Sequence, residues 1–278
     1  MNATPGATLT RPLLLAGCGK MGGAMLSGWR DSGIAAAGVM VVEPMGAPAF
    51  EGLSGVDIVA SADDIPANFD PEVVVFAVKP QQMDSVAPGY ARFATPKTVF
   101  LSIAAGKTIG YFEQHLGANA AIVRAMPNTP AAIGQGITVT CPNANVTPDQ
   151  AGLCGSLMES VGEALAVTDE GLIDAVTALS GGGPAYVFLL IECLTEAGVQ
   201  AGLPRDMAAK LSLVTVAGSG QLALTSDEPP STLRENVTSP GGTTLEALNV
   251  LMAQDGLQPI MTRAIAAATA RSKELAGG

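Results

Sequence analysis

The segment GCGKMG, residues Gly17–Gly22, decides the fold of this chain. It directly follows the apolar run Leu13–Ala16 and opens a stretch with helical spacing, so it marks a turn from a strand into a helix. In such a turn the first glycine permits a tight bend, the second lets the backbone approach a pyrophosphate, and the third lets the helix pack closely on the strand. The pattern predicts a dinucleotide-binding βαβ unit. A glycine-rich turn without a ligand is the alternative.

Short apolar runs and helical stretches alternate outward from this segment through the first half of the chain. An alternation of this kind indicates βαβ units and a parallel sheet that is covered on both faces. Helices are predicted over Met21–Trp29, Gln81–Phe93 and about Pro148 to Ser160. Strands are predicted over Leu13–Ala16, Val39–Val42, Val73–Val78, Val99–Ile103 and Ala121–Arg124, with Gly136–Thr140 and Ala164–Val167 as additions at the end of the sheet.

After about Thr168 the pattern changes to long helical stretches. They cover Glu170–Leu179, Pro184–Ala201, Pro204–Thr225, Pro240–Ala253 and Leu257–Leu275. The predicted fold class is therefore α/β: an N-terminal Rossmann-like, doubly wound sheet over residues 11–168, followed by an all-α domain over residues 169–278. The helices beginning at Pro184 and Pro204 are apolar on nearly all sides, so we expect a second subunit to cover them.

Charge and composition exclude several classes of function. The 278 residues include 14 Lys and Arg against 25 Asp and Glu, and this net charge of −11 argues against a nucleic-acid partner. The longest uncharged apolar stretch, Ala175–Ile191, is interrupted by Gly181-Gly182-Gly183-Pro184, so no membrane span is expected. The segment Met1–Thr10 has neither positive charge nor an apolar core, which argues against a signal peptide and for the cytoplasm.

The reactive side chains are sparse. Four scattered cysteines and one histidine, His115, predict no metal site and no disulfide scaffold. We expect His115 to be structural or exposed, and the side chain of Cys18 to pack rather than react. A protein without a histidine acid or base, a metal or a placed cysteine nucleophile suits hydride transfer, in which a bound cofactor carries the chemistry.

Further candidates for cofactor contact follow the predicted strands, because ligands of open parallel sheets bind beyond the carboxyl ends of the strands. Glu43 ends the second strand, where a carboxylate accepts hydrogen bonds from ribose hydroxyls and repels a 2′-phosphate; a solvated turn residue is the alternative. Lys79 follows the Val73–Val78 strand and is equally typical of a surface lysine. The predicted cofactor contacts are Gly17, Cys18, Gly19, Lys20, Met21, Glu43, Ala77, Val78, Lys79, Pro80, Ala104, Ala105 and Gly106.

Two further segments have the character of binding loops. Arg124–Pro130 reads RAMPNTP, in which Asn128 bonds either a ligand or the backbone of a rigid turn. Ser239–Thr244 reads SPGGTT and precedes a helical pattern, with Ser239 as the expected N-cap and Pro240 at the first helical position. Such a helix start binds a carboxylate or phosphate, although an ordinary capped helix has the same composition.

In these segments the sequence resembles pyrroline-5-carboxylate reductase, and the resemblance extends over nearly its whole length, from about Leu13 to about Leu275. The resemblance is carried by GCGKMG, AVKP, SIAAG and RAMPNTP in the first half. In the helical half it is carried by LIDAVTALSGGGPAY (Leu172–Tyr186) and ENVTSPGGTTLEAL (Glu235–Leu248), which are specific to that family.

The resemblance implies an enzyme that reduces 1-pyrroline-5-carboxylate to L-proline with NADPH or NADH. It implies a homodimer through the C-terminal helices, commonly assembled into a decamer, with the substrate at the dimer interface. Backbone N–H groups of the 239–244 loop would hold the substrate carboxylate, and Thr244, as the catalytic residue, would hydrogen-bond the ring nitrogen. The substrate contacts implied are Glu170, Asn236, Ser239, Gly241, Gly242, Thr243 and Thr244.

Two positions depart from the family pattern. Gly182 stands where the family usually has a serine, which predicts a modest loss of substrate affinity if that hydroxyl makes a contact. Glu43 is an acid at a place where many relatives, which use NADPH, have none. Two other functions remain open: a β-hydroxyacid dehydrogenase, although Gly181–Gly202 lacks the lysine such an enzyme needs, and a non-catalytic sensor of nicotinamide nucleotides.

Overall fold

A computed structural model describes residues 8–277 of the chain. Most of the segment Met1–Thr10, in which no signal peptide is expected, lies outside the described residues.

The first half forms one sheet of eight strands. The strands are β1 Leu13–Ala16, β2 Val39–Val42, β3 Val56–Val59, β4 Val73–Phe76, β5 Val99–Ser102, β6 Ala121–Met126, β7 Gly136–Pro142 and β8 Gly162–Ala166. Their order in the sheet is β3-β2-β1-β4-β5-β6-β7-β8, so the chain reverses direction across the sheet between β1 and β4. This is the doubly wound arrangement that the glycine segment predicts, and it confirms the α/β fold class.

The sheet differs from the expectation at two places. Strands β6 and β7 pair antiparallel, whereas the other neighbouring strands pair in parallel. The connection over residues 127–135 is too short for the crossover that a parallel pair requires. Strand β3 was not predicted, because Asp57 in the middle of its sequence VDIV interrupts the apolar run.

The helices lie between the strands and then fill the second half of the chain. They are α1 Lys20–Asp31, α2 Met83–Val86, α3 Ile109–Leu116, α4 Pro148–Glu159, α5 Leu172–Val176, α6 Gly183–Gln200, α7 Arg205–Thr225, α8 Pro230–Asn236, α9 Thr243–Leu251 and α10 Leu257–Ala276. The helix predicted over Gln81–Phe93 is wrong in type, since only α2 is α-helical and 3₁₀ turns flank it. Pro88 accounts for this, because proline cannot continue an α-helix.

The glycines at Gly181–Gly183 do not interrupt the helical half, contrary to the expectation. Helix α5 continues through a π-helical turn, Thr177–Gly181, into α6. Pro184 falls in the first turn of α6, where its missing N–H has no intrahelical partner to lose. The helical stretch over residues 172–200 and helix α7 are consequently long and apolar enough, by length and composition alone, to cross a membrane.

Two apolar clusters cover the two faces of the sheet. One contains Trp29 of α1 and Leu157 of α4, and the indole N–H of Trp29 donates a 2.9 Å hydrogen bond to the Leu157 carbonyl oxygen. The other contains the stacked rings of Phe76, Phe100 and Phe112. Strands β1, β2, β4 and β5 are buried along their whole length, as a sheet covered on both faces requires.

By contacts between Cα atoms the chain divides into two units. The first comprises the described residues up to Gly181 together with those from Ala268 onward, and the second is Gly182–Ala267. In the first unit, the Ser272 hydroxyl at the end of α10 donates a 2.6 Å hydrogen bond to the buried Asp174 carboxylate of α5. The domain boundary predicted at residues 168 and 169 stays a prediction.

Candidate active site

Three loops of the first unit meet at the carboxyl edge of the sheet. Hydrogen bonds continue the strand pairing beyond the strand ends: Gly17 N–H donates to Val42 O at 2.9 Å and Ala77 N–H donates to Ala16 O at 2.8 Å. Likewise, Ile103 N–H donates to Phe76 O at 3.1 Å. The loops over 17–22, 77–80 and 103–106 therefore lie side by side where the strand order reverses, the place at which open α/β sheets bind ligands.

The glycine loop leaves no room for side chains on two of its members. Gly17 has φ +92°, and a Cβ there would lie 2.8 Å from the carbonyl oxygen of Ala77. A Cβ on Gly22 would overlap the carbonyl oxygen of Gly17. Helix α1 begins at Lys20 with Gly19 as its N-cap, so its first N–H groups lie at the loop without intrahelical partners. This cradle fits a pyrophosphate, whose charge complements the positive end of the helix dipole.

Glu43 lies against this cradle. One oxygen of its carboxylate accepts a 2.8 Å hydrogen bond from the backbone N–H of Cys18, and the other accepts one of 3.4 Å from Met45 N–H. The side chain is half-buried. Its direction toward the middle of the glycine loop is what a ribose contact requires, and that contact stays a prediction.

Cys18 packs against the apolar cluster beneath α1. Burial, together with the nearby Glu43 carboxylate, raises the pKa of the Cys18 thiol to about 11. The thiol is therefore neutral at physiological pH and is not a nucleophile, because the thiolate is the reactive form.

The other two loops are joined by a side-chain cluster that the sequence analysis missed. The Asp84 carboxylate, one residue into α2, accepts hydrogen bonds from Lys107 Nζ at 2.8 Å and from the Tyr111 hydroxyl at 2.7 Å. These hydrogen bonds hold the pKa of Asp84 below its ordinary value. Lys79, by contrast, is exposed. The cluster links the segment after β4 to the segment after β5, and its members are too far apart in sequence for spacing to reveal them.

The second set of predicted residues lies in the second unit, around a turn rather than a helix cap. Gly242 N–H donates to Ser239 O at 3.0 Å and Gly241 has φ +67°, which with Pro240 makes a type II turn. Helix α9 begins only at Thr243, with Gly242 as its N-cap. The predicted N-cap at Ser239 is therefore wrong, because the left-handed Gly241 cannot belong to a helix.

This turn still presents a helix start to its surroundings. Thr243 and Thr244 are the first helical residues, and both are exposed. Their backbone N–H groups lie in the first turn of α9, where N–H groups lack intrahelical partners. Asn236, at the end of α8, is also exposed and donates a 3.0 Å hydrogen bond to Glu228 Oε2.

Glu170 belongs to the first unit, whereas the other predicted substrate contacts belong to the second. Its Oε1 atom accepts a 2.7 Å hydrogen bond from Arg124 Nη1 and a 2.8 Å hydrogen bond from the backbone N–H of Ile109. The sequence analysis assigned no role to Arg124, which appeared there only within the motif RAMPNTP. The signal that could have singled it out is one charge inside the apolar strand AIVRAM.

Two residues with open interpretations have structural contacts. The Asn128 side chain accepts a 2.9 Å hydrogen bond from Ile137 N–H, which supports the rigid turn. His115 Nδ1 lies 2.9 Å from the carbonyl oxygen of Tyr111, and its ring packs on the Tyr111 ring. Within residues 8–277, no three His, Cys, Asp or Glu side chains are grouped to hold a metal ion.

Two family models match the chain, one in each half. The model described as pyrroline-5-carboxylate reductase dimerisation matches residues 170–275. The model described as NADP oxidoreductase, coenzyme F420-dependent, matches residues 13–106, which include the loops over 17–22, 77–80 and 103–106.

Relatives of known name match over nearly the full length. The pyrroline-5-carboxylate reductase of Pseudomonas aeruginosa is 41% identical and covers 94% of this chain and 95% of its own, and that of Pisum sativum is 37% identical over 93% and 94%. The solved pyrroline-5-carboxylate reductase of Coxiella burnetii has a TM-score of 0.87 at 35% identity, covering 96% of this chain and 99% of that chain. The Plasmodium falciparum enzyme, solved with NADP bound, has a TM-score of 0.81 at 31% identity over 97% and 100%.

Proposed function

The chain belongs to the pyrroline-5-carboxylate reductase family, and on that premise we propose which of its residues carry out the reaction. It reduces 1-pyrroline-5-carboxylate to L-proline with NADPH or NADH, the last step of proline biosynthesis. The observation that supports this function most directly is the glycine cradle at the strand switch point, occurring in one chain with the exposed helix start at Thr243.

The first unit holds the cofactor. The free N–H groups at the start of α1, beside the Gly17–Gly22 cradle, would hold the pyrophosphate, and the Glu43 carboxylate at that loop would accept hydrogen bonds from the ribose. The loops over 77–80 and 104–106 would flank the nicotinamide, where Ala77, Ala104 and Ala105 offer small side chains that allow flat contact. When bound, the nicotinamide supplies a hydride to the imine carbon of the substrate.

The second unit holds the substrate. The first N–H groups of α9, with the turn over Ser239–Gly242, bind the carboxylate, since a helix start favours an anion. The Thr244 hydroxyl accepts a hydrogen bond from the protonated imine nitrogen and thereby sets which face of the ring is presented. A cyclic iminium is already electrophilic, so alignment matters more than a strong acid. Asn236 lines the same site, and Glu170 as a substrate contact remains a prediction.

Apolar exposure on the second unit indicates what covers it. On α6, Val187, Phe188 and Leu189 are 45%, 59% and 57% exposed within one chain. On α7, Leu211 and Val214 are about as exposed. An area of this kind marks an interface, and the matching family model is one of dimerisation. The helical part accordingly serves oligomerisation, and we extend this to a homodimer through α6 and α7 that assembles into a decamer.

The same interface, rather than a membrane, would cover the two long apolar helical stretches. Only 6% and 11% of their most apolar windows are buried within one chain, and a second copy would cover them. We therefore propose that the enzyme acts in the cytoplasm without membrane or nucleic-acid partners, in keeping with its net charge of −11.

Turnover separates this function from its two alternatives. With 1-pyrroline-5-carboxylate, the oxidation of NADPH or NADH is followed as a fall in absorbance at 340 nm. In the matched controls, 3-hydroxy acids are supplied with NADP⁺ or NAD⁺, and reduction of the cofactor is followed as a rise in absorbance at 340 nm. The expected result is turnover with the imine and none with the hydroxy acids. Turnover with the hydroxy acids alone would establish a β-hydroxyacid dehydrogenase, and cofactor binding without turnover would establish a sensor.

A further inference from the structure

The start of α3 is held by an ion pair between Arg124, which is buried, and Glu170, which is half-buried. Glu170 Oε1 accepts hydrogen bonds from Arg124 Nη1 at 2.7 Å and from the N–H of Ile109, the first residue of α3, at 2.8 Å. The Arg124 side chain is only 3% exposed and that of Glu170 is 30% exposed. One carboxylate oxygen therefore ties the middle of the sheet to the first turn of α3.

Arg124 is a costly residue for its position. Its Nε and Nη2 atoms are buried and have no hydrogen-bond partner among the described residues. A buried polar group without a partner destabilises a fold, and an apolar side chain of similar size often serves stability better than a buried ion pair. Strand stability therefore does not account for Arg124, and its bond to Glu170 is the contact that remains to explain it.

The element that this pair anchors follows directly on the nicotinamide loop. Gly106 has φ +74°, and a Cβ there would lie 3.1 Å from Leu275 Cβ at the end of α10, within the same unit. Three residues further on, Ile109 is held by Glu170. The loop over Ala104–Gly106 is thus backed by Leu275 on one side and leads into a helix start that Glu170 fixes.

We infer that Arg124 and Glu170 are positioning residues, which keep the nicotinamide loop over Ala104–Gly106 in its binding geometry through the N–H of Ile109. The inference rests on the proposed function for the identity of that loop as a cofactor contact. Arg124 orients the Glu170 carboxylate, and Glu170 fixes the first turn of α3. The Glu170 oxygen used in both contacts is engaged within its own unit, which distinguishes this role from the substrate contact implied by the family resemblance.

Hydrogen exchange in the cofactor-free enzyme tests the anchor directly. The variants are Glu170→Ala, Glu170→Gln, which keeps an acceptor for Ile109 N–H, and Arg124→Met. Asp70→Asn is the matched control, because it removes a carboxylate paired at 3.0 Å with Arg11 at the opposite, amino edge of the sheet. We expect exchange of the amides over residues 104–110 to accelerate about tenfold or more in Glu170→Ala and Arg124→Met, less in Glu170→Gln, and not at all in Asp70→Asn.

Two further readouts separate positioning from other roles. Loosening the loop should lower kcat roughly tenfold to a hundredfold, since misalignment by about 1 Å has effects of that size, while KM for the imine changes little. The primary isotope effect with cofactor deuterated at C4 should rise toward its full value as hydride transfer becomes slower than the other steps. Adding Arg124→Met to Glu170→Ala should not lower kcat any further, because Arg124 acts on the loop through Glu170.

Three results would overturn the inference. Unchanged hydrogen exchange over residues 104–110 in both Glu170→Gln and Glu170→Ala would show that Glu170 does not fix the first turn of α3. Equally faster hydrogen exchange over the whole sheet would show a general loss of stability. If Arg124→Met does not fold, Glu170→Gln still separates local loosening of residues 104–110 from such a general loss. A rise in KM for the imine with unchanged exchange would make Glu170 a substrate contact. Failure of the proposed function is a separate outcome, in which the wild-type enzyme does not turn over the imine while the exchange difference persists.

Discussion

At the scale of single residues, the side chains of the proposed site are either uncharged or already hydrogen-bonded within the protein. Thr244 stands exposed in the first turn of α9, and Cys18 contributes its backbone N–H rather than its neutral thiol. Glu43 is held by that N–H at the glycine loop. Residues of this kind suit the positioning of bound molecules, with hydride transfer left to the cofactor.

Replacing Thr244 by valine removes a hydroxyl while keeping shape. One hydrogen bond to a charged group contributes about 1.5–3 kcal/mol, so kcat/KM for 1-pyrroline-5-carboxylate should fall roughly tenfold to a hundredfold. Part of the loss should appear in kcat, because a misaligned ring reacts slowly even when bound. Steady-state kinetics and cofactor Kd are measured side by side, and the cofactor Kd should not change.

Thr243→Val is the matched control for this substitution, since Thr243 is the neighbouring exposed hydroxyl of the same helix start. It should alter kcat less than Thr244→Val does. A Thr244→Val enzyme with wild-type kcat/KM would remove Thr244 from the site, and an equal loss of cofactor affinity would indicate misfolding instead.

Glu43 should make NADH at least as good a cofactor as NADPH. Two unit charges about 4 Å apart repel by about 1 kcal/mol in water, so Glu43→Ser should shift the ratio of kcat/KM toward NADPH by roughly fivefold. Glu43→Gln keeps the length and an acceptor for Cys18 N–H, and it should give the same shift if charge is the cause. A strong NADPH preference in the wild-type enzyme would refute this role.

For single residues, the sequence could predict which side chains lie at the carboxyl edge of the sheet, but not which hydrogen bonds they make. The order of strands brings the predicted cofactor residues to one edge, as expected from strand ends alone. The contacts of Glu170 and Arg124 join residues 46 positions apart, and the turn at Ser239–Gly242 depends on the φ angle of Gly241. Neither is encoded in local spacing.

At the scale of elements, continuous apolar runs predicted strands well because full burial requires them. Strands β1 and β2 have the predicted bounds. Strand β3 was not predicted because it is not fully buried. Helices α3 and α8 were not predicted because they are short. The π-helical turn at Thr177–Gly181 could not be predicted, since glycine and proline ordinarily signal a break.

The Asp84–Lys107–Tyr111 cluster links the segments that follow two of the loops proposed to contact the cofactor, so Asp84→Asn should weaken cofactor binding. The effect should be small, about twofold to fivefold at low salt and less at 1 M NaCl, because exposed ion pairs are weak and screened. Because the folded-state pKa of Asp84 is lowered, its contribution is present above the ordinary pKa and is lost only as the pH falls through the lowered value.

Cofactor Kd is therefore measured for wild type and Asp84→Asn from pH 5 to 8. Their ratio should stay constant across that range, because Asp84 remains ionised throughout. A ratio that collapses between pH 7 and 5 would contradict the assignment, and Asp149→Asn at the start of α4 is the control for a surface carboxylate elsewhere.

At the scale of the whole molecule, the exposed apolar faces of α6 and α7 predict an interface with a second copy of the chain. We expect a stable homodimer or a multiple of it, measured by light scattering at micromolar concentration. Phe188→Glu on α6 should produce monomers or aggregates with reduced activity, whereas Glu159→Lys on α4 of the first unit should leave the oligomer intact. A stable, active monomer of about the 27.9 kDa chain mass would refute the dimer.

Transfer of a hydride from the nicotinamide cofactor to the carbon of the cyclic imine has one direct test. The enzyme is supplied with NADPH or NADH deuterated at C4 on the transferred face, together with 1-pyrroline-5-carboxylate, and the product is analysed by mass spectrometry and NMR. We expect L-proline that carries one deuterium at C5, formed in an amount equal to the cofactor oxidised. Proline without deuterium at C5 from cofactor labelled on either face, or cofactor oxidation without proline, would contradict it.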